Sequence, residues 1–139
     1  MNAPRRHPGH QRGQALVEAA LVVPLLLLLF MGTVEIGRAL FAYVSLEEAV
    51  QEGASYAARV PSDTAGIRAR VLTSSDHPEV AGATVADAVC DDVLQTISVS
   101  AAYPLPLITP VGRALFGGSI ALRATVVATN LEHPDETCS

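Results

Sequence analysis

The chain has 139 residues, half of them hydrophobic and only 4% aromatic, with no Trp; that length holds one small domain and one additional element, and it argues against a multidomain enzyme. All nine basic residues are Arg, and the absence of Lys excludes Schiff-base chemistry, PLP attachment and a Walker-type phosphate loop. A net charge of −5 argues against a nucleic-acid partner.

Residues 1–13 carry Arg5, Arg6 and Arg12, two prolines and no acids. They have too little apolar surface to fold and read as a basic cytoplasmic leader. Sixteen of the twenty residues from Ala15 to Val34 are hydrophobic, and Glu18 is the only charge between Gln14 and Val34. As a helix, residues 14–34 are about 32 Å long, close to the hydrocarbon thickness of a bilayer, so they are predicted to span it once. Three arginines precede this segment, and an acid-leaning flank of Glu35, Arg38, Glu47, Glu48 and Glu52 follows it. The positive-inside rule then keeps the N-terminus in the cytoplasm and places everything after residue 34 outside. A cleaved secretory signal is the competing reading, but Ala39 and Ala42 are wrongly spaced for cleavage and Glu18 interrupts the start of the apolar region.

An ionisable side chain in a spanning segment costs about 2.5–3.5 kcal/mol at the helix centre and less near the interface, so Glu18 needs a partner. It either reaches the cytoplasmic interface from the first helical turn, favoured by the helix dipole, or pairs with a positive charge on the same or a neighbouring helix. Pro24 removes one backbone donor and is expected to bend or loosen the helix near Ala20, as membrane helices tolerate.

Gly13, Gln14, Glu18, the small and apolar run to Pro24, the leucines from Leu25 to Leu29, and then Glu35, Gly37 and Arg38 together resemble the start of TadE-like proteins, pseudopilin-type components of the bacterial Tad (tight adherence, Flp) pilus assembly system. The resemblance covers about the first 50 residues well and the remainder in outline. It implies a pilin-like arrangement, processing by a prepilin peptidase between Gly13 and Gln14, and a Glu18 that meets the N-terminal amine of an adjacent subunit. It also implies the bacterial inner membrane as location, and other pilin-like subunits and Tad assembly proteins as partners beside the lipid bilayer. Cleavage after Gly13 removes three Arg and leaves six against fourteen acids, a net charge of −8. The new amine would lie four residues from Glu18, and charge pairing in a low dielectric favours helix association.

Residues 35–60 contain no proline and are predicted to continue the helix outside the membrane. Arg38, Ser45, Glu48, Glu52, Ser55 and Arg59 form one solvated stripe. Ile36, Ala39, Leu40, Tyr43, Leu46, Val50, Ala54, Ala57 and Ala58 form the face to be covered, with Glu47 a dissonant charge among them. Pro61 stops the helix at Val60, and Ser62, Asp63 and Thr64 offer a cap for a short helix to about Thr73. A homotypic coiled coil is disfavoured, since the apolar stripe keeps no strict heptad and small residues weaken any seam.

Residues 61–139 are expected to form a small α+β domain. Thr96–Tyr103 alternates, with Ile97, Val99, Ala101 and Tyr103 on one side. Ser119–Thr129 alternates likewise, with Ile120, Leu122, Ala124, Val126 and Ala128 together. The two should pair antiparallel, with Ala83–Cys90 a weaker strand before an Asp91-Asp92 turn. The predicted fold class is therefore α+β, a long N-terminal helix packed on a small antiparallel sheet. Residues 104–118 hold three Pro and three Gly among apolar side chains; this connector is expected to pack as a lid over the core, a functional loop or a position near the membrane being the alternatives.

Catalytic signals are weak. Cys90 and Cys138 lack metal-type spacing; on the oxidising side of a membrane they would form one disulfide tying the tail to the sheet, with free thiols or a contact with another subunit as alternatives. His7, His10, His77 and His133 complete no metal constellation. Ser74, Ser75, Asp76 and His77 place triad residue types side by side, where sequence neighbours cannot orient one another, and read as a polar turn. A structural, non-enzymatic part without cofactor or metal is expected. The alternatives are a signal-anchored extracytoplasmic binding or adaptor module unrelated to pili and, more distantly, a small hydrolase.

Overall fold

The computed structural model describes residues 9–74, 78–91 and 93–129. Its elements in chain order are α1 (Gly9–Ala57), α2 (Thr64–Thr73), α3 (Pro78–Ala81), β1 (Thr84–Val85), β2 (Val89–Asp91), β3 (Thr96–Pro106), α4 (Pro110–Phe116) and β4 (Ser119–Thr129). The architecture is α+β in a pilin-like arrangement, a long N-terminal apolar helix packed against a small antiparallel sheet.

At 49 residues, α1 is a rod about 74 Å long. It begins at Gly9, inside the segment expected to lack structure, because extending an established helix costs far less than starting one. Its far end stops at Ala57, before the expected Val60, in a turn where the Ala58 N–H donates to Ala54 O (3.0 Å) and the Val60 N–H to Tyr56 O (3.1 Å).

The outer half of α1 and the turn after it bury Ala42, Ser45, Leu46, Ala49, Val50, Gly53, Ala54, Ala57 and Ala58. These positions recur at alternating steps of three and one, a helical face. Two expectations are corrected here. Ser45 belongs to the buried face, not the solvated stripe, at 4% exposure. Ile36, Leu40 and Tyr43 are exposed, not covered. The helix turns its smallest residues toward the domain, since small side chains let it approach closely, and the larger apolar ones fall on its flank. Gly53 marks the closest approach: a Cβ there would collide with the side chain of Val71 on α2.

As expected, Asp63 caps α2, its Oδ1 accepting from the Gly66 N–H at 2.8 Å. Ile67 and Val71 of that helix join the core with Val80 of α3. In the sheet, β3 is central, paired antiparallel along its whole length with β4 from Thr96↔Thr129 to Pro106↔Ser119. Its other edge pairs with β1 at Ala101 and Ala102 and with β2 at Thr96 to Ser98. The weak strand expected over Ala83–Cys90 is thus split in two, bridged by the Ala86 N–H donating to Ser100 O at 2.9 Å. Asp91 forms the expected turn, its Oδ1 accepting from the Val93 and Leu94 N–H groups, each at 3.0 Å.

The strand β3 runs to Pro106, past the expected Tyr103. Pro104 and Pro106 lie beyond the reach of β1, where one edge of β3 is open and a missing N–H costs no ladder bond. Ile97, Val99, Ala101 and Leu105 are buried from β3, and β4 adds Ala124.

The connector is not a lid over the core. Only Leu105 and Leu107 are buried within it, and α4 has no buried residue. Residues 110–116 form a helix whose signals stand in the sequence. Thr109 at the N-cap accepts the Gly112 N–H at 3.1 Å, Pro110 opens the first turn, and Gly117 closes the helix in the left-handed region at φ 72°.

Candidate assembly and membrane surface

Every residue from Gly13 to Val34 on α1 is exposed. Leu16 is 71% exposed, Leu25 66% and Phe30 67%. Among the described residues, α1 is the one helix long and apolar enough to cross a membrane. Gly13 and Gln14 lie within the helix rather than at its start. Glu18 sits one turn beyond Gln14 on the same face, a spacing that makes the two side chains neighbours. Pro24 also lies inside α1, and its ring leaves the Ala20 carbonyl without the usual N–H donor.

Just beyond this segment, two charged residues clasp the connector that follows β3. Glu35 Oε1 accepts the Ile108 N–H at 2.9 Å, and its Oε2 accepts the Thr109 N–H at 3.2 Å. Arg38 Nη1 donates to Pro106 O at 2.9 Å. The Ile108 N–H is the main cause holding the Glu35 carboxyl below the usual carboxylate range; partial desolvation opposes it, and Thr109 and the Arg38 charge assist. Between α1 and α4 an apolar groove of about 360 Å³ runs from Leu28 and Met31 to Leu115 and Phe116. Sequence reading found Glu35 and Arg38 only as a flank of the apolar run. Their partners lie about 70 residues away, and no local pattern announces them.

A second polar cluster fastens α2 to the end of α1. The Tyr56 hydroxyl donates to Asp63 Oδ2 at 2.7 Å, which raises the Tyr56 pKa. The Asp63 carboxyl is held below its ordinary value, first by the Gly66 N–H and then by Tyr56. The Arg70 guanidinium lies over the Tyr56 ring, 5.3 Å from its centroid, and Arg70 meets Glu52 at 3.6 Å. Arg68 and Asp87 form an exposed pair at 3.2 Å.

Cys90 sits half-buried on β2, and no described cysteine is a free thiol. Its expected partner, Cys138, lies outside the described residues, as do Ser75, Asp76, His77 and His133. Among the described residues no three His, Cys, Asp or Glu side chains cluster as a metal site.

A family model described as TadE-like protein matches residues 13–55. The match begins at Gly13 and takes in Glu18, Pro24, the Glu35 and Arg38 clasp and most of the buried face of α1. No curated protein and no solved structure matched the chain. Over residues 13–55, the chain is thus similar to the TadE-like family.

Proposed function

We propose that this protein is a single-pass membrane component of Tad/Flp pilus biogenesis or a related secretion assembly, a TadE-like minor pseudopilin that works by helix packing and subunit contacts, without catalysis. The observation that carries this reading is the TadE-like match over a helix whose first half is apolar and exposed. Residues 14–34 span the bacterial inner membrane, residues 1–13 form a cytoplasmic leader, and residues 35–139 lie outside the cytoplasm, consistent with three Arg upstream and none of the acids. Such a surface of large aliphatic side chains meets lipid tails or neighbouring apolar helices, and small residues such as Gly32 permit close helix approach.

In this reading a prepilin peptidase cuts between Gly13 and Gln14, where the family match begins. The new N-terminal amine of one subunit then meets Glu18 of the next, which relieves the cost of a carboxylate in the membrane. Pro24 adjusts the helix between these contacts and the domain. A bond between Cys90 and Cys138 ties the tail to the sheet, as suits an oxidising compartment.

Mass spectrometry of the protein purified from membranes tests the processing step. An N-terminus at Gln14 is expected, and an intact Met1 or Asn2 counts against it. Glu18→Ala should leave membrane insertion and domain folding intact while reducing recovery of the protein in pilus complexes. A variant that assembles normally removes Glu18 from the mechanism.

A further inference from the structure

Beyond Leu107, the large apolar side chains of the connector are left exposed. Ile108 is 65% exposed, Val111 47%, Leu115 72% and Phe116 63%. Of these, Val111, Leu115 and Phe116 line the groove opposite Leu28, Met31 and the turn that follows on α1. Leu28 and Met31 belong to the last turns of the segment read as spanning the bilayer. Whatever faces them from the domain therefore stands at the depth of the extracytoplasmic leaflet.

The backbone of the connector is prepared for such a place. Glu35 accepts from Ile108 and Thr109, Arg38 covers Pro106 O, Thr109 Oγ1 caps Gly112, and the Leu107 N–H donates to Gly118 O at 2.9 Å. Pro104, Pro106 and Pro110 carry no N–H to satisfy. Non-helical backbone at membrane depth persists only where its polar groups are paired within the protein. The only charge from Pro104 to Gly118 is Arg113, and a long basic side chain suits the headgroup layer beside apolar neighbours.

We infer that α4 and the residue pair before it form a membrane foot, with Ile108, Val111, Leu115 and Phe116 entering the headgroup and acyl boundary beside α1. The foot rests on the proposal that α1 spans the bilayer. It fixes the tilt and rotation of the domain over the membrane, so that the chain holds the bilayer at two points rather than one.

The chain has no Trp, so single Trp substitutions report each environment in the full-length protein reconstituted into phosphatidylcholine and phosphatidylglycerol vesicles. Phe116→Trp is the test, Leu28→Trp reports the spanning helix, and Val93→Trp, at a position 92% exposed, reports water. Leu115→Trp repeats the test should Phe116→Trp fold poorly. The foot predicts blue-shifted emission at 116, quenching by lipids brominated near the headgroup end of the acyl chain, and loss of acrylamide access relative to position 93. Acrylamide access equal to that at position 93, with Leu28→Trp still quenched by bromolipid, overturns the foot and leaves the anchor standing. Protection from both quenchers overturns it in favour of a second protein copy. Failure of bromolipid to quench Leu28→Trp overturns the anchor and the foot together.

Discussion

The two halves of α1 are both rich in apolar residues, yet they meet opposite fates. From Leu16 to Met31 most of the side chains are large, apolar and exposed. From Ala42 to Ala58 the buried face is dominated by Ala, with Gly53 at the closest contact and Leu46 and Val50 as its larger members. Side-chain size separates the halves as much as hydrophobicity does. Small residues let a helix lie against its own domain, while the large ones on the other half are left exposed. Between the halves, Glu35 and Arg38 mark the junction by reaching sideways to the connector rather than out to solvent.

The strongest way to break this contrast is to apply one substitution to both halves. Leu46→Ala empties a site only 1% exposed and should destabilise the domain by about 2–5 kcal/mol. Leu26→Ala, at a residue 57% exposed, should leave the thermal melt of the domain in detergent micelles unchanged. Equal losses at the two sites would mean that the first half of α1 also packs on this chain.

A smaller effect is expected from adding one methyl group. Gly53→Ala drives a Cβ into Val71 and should cost about 1–3 kcal/mol by overpacking. Gly32→Ala meets no atom within 4 Å in the isolated chain, so it should leave the melt unchanged or raise it slightly. Loss of assembly with Gly32→Ala, at an unchanged melt, would sharpen the comparison by showing that neighbouring helices approach at that position.

The mildest effect concerns Asp63, beyond the end of α1. Its folded-state carboxyl titrates below the ordinary Asp value of about 3.9. Its contribution to stability is therefore complete above that value and is lost as the pH falls through the lower folded one. Asp63→Asn should keep much of the cap and flatten this acid limb in melts recorded against pH. An unchanged limb would move the acid sensitivity to other carboxylates.

Much of the domain was legible because its signals are local. Ile97, Val99 and Ala101 alternate toward one side of β3 as their spacing implies, and Asp63 caps α2 three residues ahead of its donor partner, the Gly66 N–H. The helix α4 was missed: Thr109, Pro110 and Gly117 carry its cap signals, but the density of Pro and Gly around it reads as a loop. Ser45 was misplaced for a different reason. A polar side chain on a helix says nothing of the rotation at which that helix docks, and here Ala42, Ala49 and Gly53 set the rotation.

By itself the sequence determined where the long apolar helical segment lies, the two long strands, and how α2 begins, since hydropathy, alternation and capping act over a few residues. Only the tertiary structure decided which face of α1 meets the sheet, and that Glu35 and Arg38 hold the connector beside Leu28 and Met31. These are contacts between segments about 70 residues apart. Their formation depends on closing a long loop and on the closeness that small residues allow, neither of which a short window of sequence records.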